Sequence, residues 1–469
     1  YCVQDVEVTH ALIEHLRKAG VPKAAVDMEH RLQAYLFRQE MNGWPFDLPK
    51  ATSLMARLAG RREDIGAQLI EEFGWWYAAD GQPVTPARSM TRRKGMPCPT
   101  HYLEGAEYQK IKQVEFKPSS RLHIAKVMQE RFGWKPTEYT PSGQPKVDES
   151  VLEGIDLPSA RLLQEYLLLD KRLGAISEGQ QAWLKHAHPN EAAGGYTIHH
   201  SCRPGPITHR MKHSHPNLGQ VPSLKSPYGG ECRELFTVPK GWVLMGADVS
   251  GLELRVLAEH MTPWDDGKYA REVVDGDVHT LNQNLVGLAT RDDAKTFIYA
   301  NIYGAGNEKL GSIKDPTARG EKKLKRIGKA ARKGLEDGLP ALKNLTKAVR
   351  GMFTRKGYVR LVDGRRAYPR AEHSALNTLI QGNGAIVCKT WVVEFDRMMT
   401  EGFGPQGWDG KWAALGFIHD EIQVAVRPEV AQMAQDNALK AITAAGNILG
   451  ISVPLTGETK VGANWKETH

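Results

Sequence analysis

An α+β fold is what this sequence predicts, on three observations. Val243 to Met261 opens with an apolar run, Val243 to Ala247, that reads as a buried strand ending at the carboxylate of Asp248. From Gly251 the apolar period turns helical, with Leu252, Leu254, Val256, Leu257 and Met261. Leu415 to Val426 alternates apolar residues around His419, Asp420 and Glu421, as in a hairpin-like strand with two acids at its tip. Between these stretches, Arg291, Lys295, Tyr299 and Tyr303 recur every four residues, a helical stripe of two cations followed by two rings.

Each observation alone has a plain alternative. A single Asp at a strand end also serves as a cap or turn residue, His-Asp-Glu as a polar strand end, and the stripe as a solvated amphipathic helix. Together they suit one chemistry. Two-metal phosphoryl transfer needs carboxylates from separate elements, holding divalent ions about 3.5–4 Å apart. A triphosphate can lie along the two cations while base and sugar meet the rings.

In this order GADVSGLELR, RDDAKTFIYANIYGAG and HDEIQVAV resemble motifs A, B and C of the family A (Pol I-like) DNA polymerases. The wording is most similar to the replicative polymerases of T-seven-like bacteriophages. YCVQDVEVT, FGWWY, FKPSSRLHI, HSHPNLGQVPS, SPYGGECR, ALNTLIQGNGAIVCK and the closing GANWKETH carry the resemblance from end to end. It implies a right-hand architecture of palm, fingers and thumb with an antiparallel palm sheet. The implied reaction is attack of a primer 3′-hydroxyl on the α-phosphate of a template-matched dNTP, releasing pyrophosphate.

The resemblance also implies site roles. Asp248 and Asp420, with the backbone carbonyl of Val249, are implied to hold two Mg²⁺ ions, and Glu421 is a further acid of the catalytic set. His279 and Arg291 resemble phosphate contacts, and Lys295 the residue that neutralises the triphosphate and protonates the leaving pyrophosphate. Tyr299 resembles the ring against the sugar and Tyr303 the residue beside the templating base. Glu253 resembles the steric gate that fills the space of a ribose 2′-hydroxyl. Tyr299 stands where many relatives carry Phe, which implies weaker rejection of dideoxynucleotides. Arg210 and Gln381 are implied as primer-template contacts in the minor groove, with His419 also facing DNA. Acceptors there look alike in all four base pairs, so such contacts test pair geometry without reading sequence.

Two other readings stay open. A single-subunit RNA polymerase would share the acids and the stripe, and Glu253 argues against it. A non-catalytic DNA-binding module would share the basic surfaces. It would not require acids facing a polyanion.

A chain of 469 residues, 41% hydrophobic, can bury a large core and hold about three structural units. Lys+Arg 62 against Asp+Glu 54 gives +8, which suits primer-template DNA and is also common in ordinary enzymes. Five scattered cysteines (Cys2, Cys98, Cys202, Cys232, Cys388) show no CxxC pair, so neither a disulfide framework nor a zinc ribbon is expected. A reducing cytoplasm, that of a bacterial host, fits them, and no run approaches the roughly 18 apolar residues of a membrane span.

Taken in order, residues 1–26 resemble the end of a 3′-5′ exonuclease domain, Tyr1 and Asp5 having the spacing of its last motif. The chain opens without Met, which reads as a fragment or a processed product, and proofreading is not expected of it alone. Residues 27–194 are expected to form a helical thumb, with helices at Asp27 to Met41, from Pro49 to about Phe73, over PSSRLHIAKVMQERFG and over Arg161 to Leu173. Gly74 to Phe116 is rich in Gly, Pro and Trp, with basic Arg88, Arg92, Arg93 and Lys94, and reads as a loop or a small inserted module. Phage relatives recruit a thioredoxin at this position. The shorter stretch here leaves two readings, a thioredoxin-like processivity factor at 74–116 or a basic loop adding phosphate contacts.

Residues 195–255 are expected as the first part of the palm, 256–370 as fingers and 371–469 as the second part of the palm. His199, His200, His209, His213 and His215 have no acids or thiols spaced with them, so solvated or DNA-facing rings are expected rather than a metal site. Lys322, Lys323, Lys325, Arg326, Lys329, Arg332 and Lys333 read as a solvated helix face or a template-phosphate contact.

Overall fold

The computed structural model describes every residue except Tyr1, Ala19, 93–99, 137–138 and Asp156. Tyr1 of the exonuclease-like spacing, Arg93 and Lys94 of the basic cluster, and Cys98 therefore lie outside the described residues, as does the side chain of Arg92. The chain forms two compact units, one of Tyr1–Leu48 with His186–His469 and one of Pro49–Lys185.

The larger unit contains, in chain order, helix α1 (Lys23–Asn42), strand β1 (Val243–Val249) and helices α2 (Leu252–Asp265), α3 (Val278–Val286), α4 (Arg291–Ile302), α5 (Asn307–Lys314), α6 (Glu321–Gly338) and α7 (Ala375–Phe403). Strands β2 (Trp412–Ile418) and β3 (Glu421–Val426), helix α8 (Ala431–Ile448) and strand β4 (Gly457–Gly462) follow. The four strands make one antiparallel sheet in the order β2-β3-β1-β4. Every residue of β2 and β3 is buried, which explains their nearly unbroken apolar wording: a strand covered on both faces has no solvent side to alternate toward. Helix α8 packs on β1 and β4, and α1 packs on β2.

Gly246 shows how tightly β1 is crossed. A Cβ there would lie 2.4 Å from the carbonyl oxygen of Thr468, so only glycine lets the closing segment rest on the strand. The helices after the sheet approach as closely, since a Cβ at Gly328 of α6 would meet the Asn307 carbonyl of α5 at 1.8 Å. Arg332 departs from the expected solvated face: its Nε donates to Asn301 Oδ1 at 3.2 Å and its NH2 to the Ala305 carbonyl, tying α6 to the end of α4. The remaining members of that run, Lys322, Lys323, Lys325, Arg326, Lys329 and Lys333, are exposed or half-buried on α6.

Two features depart from the sequence reading. Leu32, Tyr35 and Leu36 of α1 join the core that contains Met245 and Ala247 of β1. The helix therefore groups with the sheet rather than with the helical unit that follows it. The histidines are not all solvated: His200 and His213 are buried, and burial pushes their rings down to about 3 and about 4. Pairing of Ser201–Pro204 with Met211–Ser214 places Cys202 opposite His213, and the His213 ring stacks on His200 at 6.2 Å.

In the smaller unit, helix Leu48–Phe73 runs on from the boundary and is followed by helices Arg121–Phe132 and Pro158–Leu173. Ser120 caps the second, its hydroxyl accepting from the His123 amide. Arg62 fastens the last to the first, donating to Asp170 at 2.9 Å and to Glu178 at 2.6 Å. The stretch 74–116 is a small module of two antiparallel ribbons, Trp75–Ala79 with Ile111–Glu115 and Met90–Arg92 with Thr100–Tyr102. Among the described residues no helix is long and apolar enough to cross a membrane.

Candidate active site

Strand β1 delivers Asp248 to the end of the sheet, facing Glu421 of β3 on one side and Glu458 of β4 on the other. The β2–β3 hairpin turns through His419 and Asp420. Its tip is tied to β1 by the Val249 amide, which donates to the Asp420 carbonyl at 3.0 Å. His419 sits at φ 60°, a left-handed backbone that costs a non-glycine residue roughly 1–2 kcal/mol. Strain of this kind is characteristic of a turn fixed for a purpose.

Burial, followed by the charges of Asp420, Glu421, Glu458 and Glu253, pushes the Asp248 carboxyl up to about 8. Burial, then Glu253 and Glu421, pushes Asp420 up to about 6, with Arg210 acting the other way. Crowded, buried carboxyls of this kind favour the protonated form more than free ones do, and a bound divalent ion would reverse the balance.

Glu421 differs completely, although it follows Asp420 directly. Its Oε1 accepts from Trp465 Nε1 and from Gln423 Nε2, each at 2.6 Å, and its Oε2 lies 2.9 Å from His469 Nδ1. Thr468 in turn donates to Gln423 Oε1 at 2.8 Å. Both oxygens of Glu421 are thus engaged by protein donors in a buried pocket. Trp465, Thr468 and His469 come from the closing segment, which the sequence reading used only as matching wording.

Glu253 occupies the first turn of α2, where its Oε1 accepts from Arg210 NH2 at 2.6 Å and from the Tyr303 hydroxyl at 3.1 Å. Tyr303 caps the end of α4, and its ring centre lies 6.1 Å from that of Tyr299. Arg210, Glu253, Cys388, Lys389, His419 and Asp420 line one small cleft. Gln381 lies half-buried on α7, one turn before Gly384 and Ala385, which also line the cleft. His419 packs edge-on against buried His213 at 5.9 Å.

The other end of α4 is open. Thr290 and Asp293 form a reciprocal cap there, leaving Arg291 and Lys295 exposed along the helix and Tyr299 half-buried further on. Nearby, His279 on α3 is held below its ordinary range by burial and then by the charges of Arg291 and Lys295. The structure therefore gathers Asp248, Glu253, Asp420, Arg210, His419 and Tyr303 around the strand ends, with Arg291 and Lys295 forming a cationic edge beside His279. Sequence reasoning missed Glu458, which no motif marks, and Asp277, which binds Arg291.

The residues present suit a hard divalent cation. Asp248 and Asp420 offer carboxylate oxygens, and Val249 a carbonyl. Among the described residues no three His, Cys, Asp or Glu gather as a metal cage. Mg²⁺ needs none, since it is commonly held by one or two carboxylates together with substrate phosphates and water.

Comparison with known proteins gives one answer. The profile of DNA polymerase family A matches residues 99–467. The DNA-directed DNA polymerases of Enterobacteria phage T3 and Escherichia phage T7 are each 37% identical over 548 residues, covering 100% of this chain and 76% of theirs. The thermostable DNA polymerase I of Thermus filiformis is 25% identical over 450 residues, 86% of this chain and 50% of its own.

Proposed function

The chain belongs to DNA polymerase family A and is a DNA-directed DNA polymerase, and on that premise we propose that it extends a primer by two-metal phosphoryl transfer centred on Asp248 and Asp420. The observation that carries this reading is the pair of strand-end carboxylates, delivered by antiparallel strands and raised to about 8 and about 6 by burial and by one another's neighbours. Two Mg²⁺ ions held by Asp248, Asp420 and the Val249 carbonyl would activate the primer hydroxyl and neutralise charge on the reacting phosphate.

The chain's own residues do the rest. The primer 3′-hydroxyl passes its proton to solvent as its oxygen bonds to the α-phosphorus, the bond from that phosphorus to the bridging oxygen breaks, and pyrophosphate leaves with a proton from Lys295. Arg291 and His279 bind the triphosphate, and Tyr299 lies against the sugar. Glu253, fixed by Arg210 and Tyr303, fills the space of a 2′-hydroxyl and so selects deoxynucleotides. Tyr303 stands beside the templating base, and Arg210, Gln381 and His419 face primer-template DNA. Glu421 serves the site as a buttress, since its oxygens are engaged by Trp465, Gln423 and His469. Catalysis is then mostly positioning and charge neutralisation.

In this reading the sheet with residues 195–255 and 371–469 is the palm, 256–370 the fingers, the helical unit the thumb, and residues 1–26 an exonuclease-like segment. The module at 74–116 is the seat of a thioredoxin-like processivity factor, supported by its exposed Trp75, Tyr77 and Ile111. The site of action is the cytoplasm of a bacterial host. The test is primer extension on a primed template with Mg²⁺, supplying either dNTPs or rNTPs, for the chain and for Asp420→Ala. Extension with dNTPs alone, lost in the variant and on chelation, is expected. Ribonucleotide extension by the unsubstituted chain would instead revive an RNA polymerase.

A further inference from the structure

Asp277 has no part in the chemistry above, yet it touches two of its members. Its Oδ1 accepts from the His279 and Thr280 amides, each at 3.2 Å, and its Oδ2 accepts from the Thr280 hydroxyl at 2.8 Å, so it caps α3. The same carboxylate accepts from Arg291 Nε, at 3.1 Å to Oδ1 and 3.0 Å to Oδ2, across a gap of fourteen residues.

The choice of nitrogen matters. Elsewhere Arg61 meets Glu165 through Nε and NH2 together, at 2.8 and 2.9 Å, spending half of its fork on the carboxylate. Arg291 gives Asp277 only Nε, which leaves both terminal nitrogens, with four N–H donors, for an anion. The cap meanwhile fixes the first turn of α3, where His279 carries a buried Nδ1 with no hydrogen-bond partner among the described residues. One carboxylate therefore orients Arg291 of the cationic edge and the first turn that carries His279, without occupying the face they offer.

We infer that Asp277 is a positioning residue for the incoming nucleotide: it holds Arg291 by Nε so that the terminal guanidinium nitrogens face the triphosphate, and through the α3 cap it aims His279 at the same phosphates. The inference rests on the reading of α4 as the triphosphate helix. It also fixes a direction. An acid beside a polyanion site that acted only through its charge would weaken nucleotide binding, so its removal would lower KM. A positioning acid does the reverse.

The test is steady-state extension with the full chain on a primed template, comparing Asp277→Ser, Asp277→Asn, Arg291→Ala and the double variant Asp277→Ser/Arg291→Ala. Serine still caps a helix but is too short to hold the guanidinium, whereas asparagine keeps both the cap and a neutral acceptor. Asp277→Ser is expected to raise the dNTP KM about tenfold with kcat within about twofold, and Asp277→Asn to raise it about threefold. In the Arg291→Ala background Asp277→Ser should add nothing, the signature of two residues acting as a unit. Primer-template affinity should not change in any variant. An unchanged or lowered KM in Asp277→Ser, or a full additional loss in the double variant, would overturn the inference. If Arg291→Ala itself leaves KM unchanged, the triphosphate reading of α4 fails, and the inference fails with it.

Discussion

Two acidic regions of this molecule are built in opposite ways. At the strand ends, Asp248 and Asp420 are crowded by Glu253, Glu421 and Glu458, and their carboxyls are pushed well above the ordinary range. At the α3–α4 corner, Asp277 is held far below that range, first by its hydrogen bond from Arg291 and then by the Thr280 hydroxyl. In the proposed reading the first region is completed by a divalent cation. The second is already balanced, and what it leaves unspent is donor capacity for an anion. In the proposed reading, charge that the protein does not satisfy marks the metal site, and charge satisfied at one end of a side chain marks the triphosphate site.

The largest effect should come from the unbalanced side. Asp248→Asn and Asp420→Ala are each expected to reduce extension by about 10³-fold or more, since removing one carboxylate leaves the reacting phosphate without its charge stabilisation. Single-turnover extension measures this. Neither variant should melt below the metal-free parent, because each removes an electrostatic penalty.

Between the two regions stands Glu253. Glu253→Ala frees Arg210 and Tyr303 and opens the space of a 2′-hydroxyl, so rNTP incorporation relative to dNTP should rise about 100-fold, read as a ratio of kcat/KM values.

Glu421 sharpens the contrast within the sheet itself. Glu421→Gln should leave extension within about threefold, while unfolding free energy falls by about 1–3 kcal/mol because buried donors lose an acceptor. A loss as large as that of Asp420→Ala would erase the distinction between the two acids.

The last effect concerns pH and stability rather than extension. Asp248 has an ordinary value of 3.8 and a folded value of about 8, so between them the folded state keeps a proton that the unfolded chain has lost. Stability contributed by this group is therefore present below the lower value and declines as pH rises toward the higher one. In chelator, the Tm of the unsubstituted chain should fall from about pH 5 to about pH 8 more than that of Asp248→Asn, and saturating divalent ion should remove the difference.

Much of this was legible in the sequence. The run ending at Asp248 foretold one strand end, and the apolar residues around Asp420 foretold the other, although the expected alternation implies a solvent face and the structure buries both faces of that hairpin. The spacing from Arg291 to Tyr299 likewise foretold one helical face. What stayed hidden was contact over distance in the chain. Glu421 reads as one more site acid until Trp465 and His469, more than forty residues later, are seen to hold it. His200 and His213 read as solvated or DNA-facing because no acids or thiols are spaced with them, and hairpin pairing together with ring stacking buries them. Asp277 looks like an ordinary helix cap until α4 brings Arg291 back to it.

The most direct measurement is a titration of divalent ion, with Mn²⁺ as the spectroscopic probe, on the chain bound to a dideoxy-terminated primer-template and matched dNTP. Asp248→Asn, Asp420→Asn and Glu421→Gln are compared with the parent. The expected result is saturable binding that is lost in the two Asp variants and kept in Glu421→Gln. Binding that survives both Asp substitutions, or that vanishes with Glu421→Gln while the protein remains folded, would contradict the assignment of the strand-end pair as the metal site.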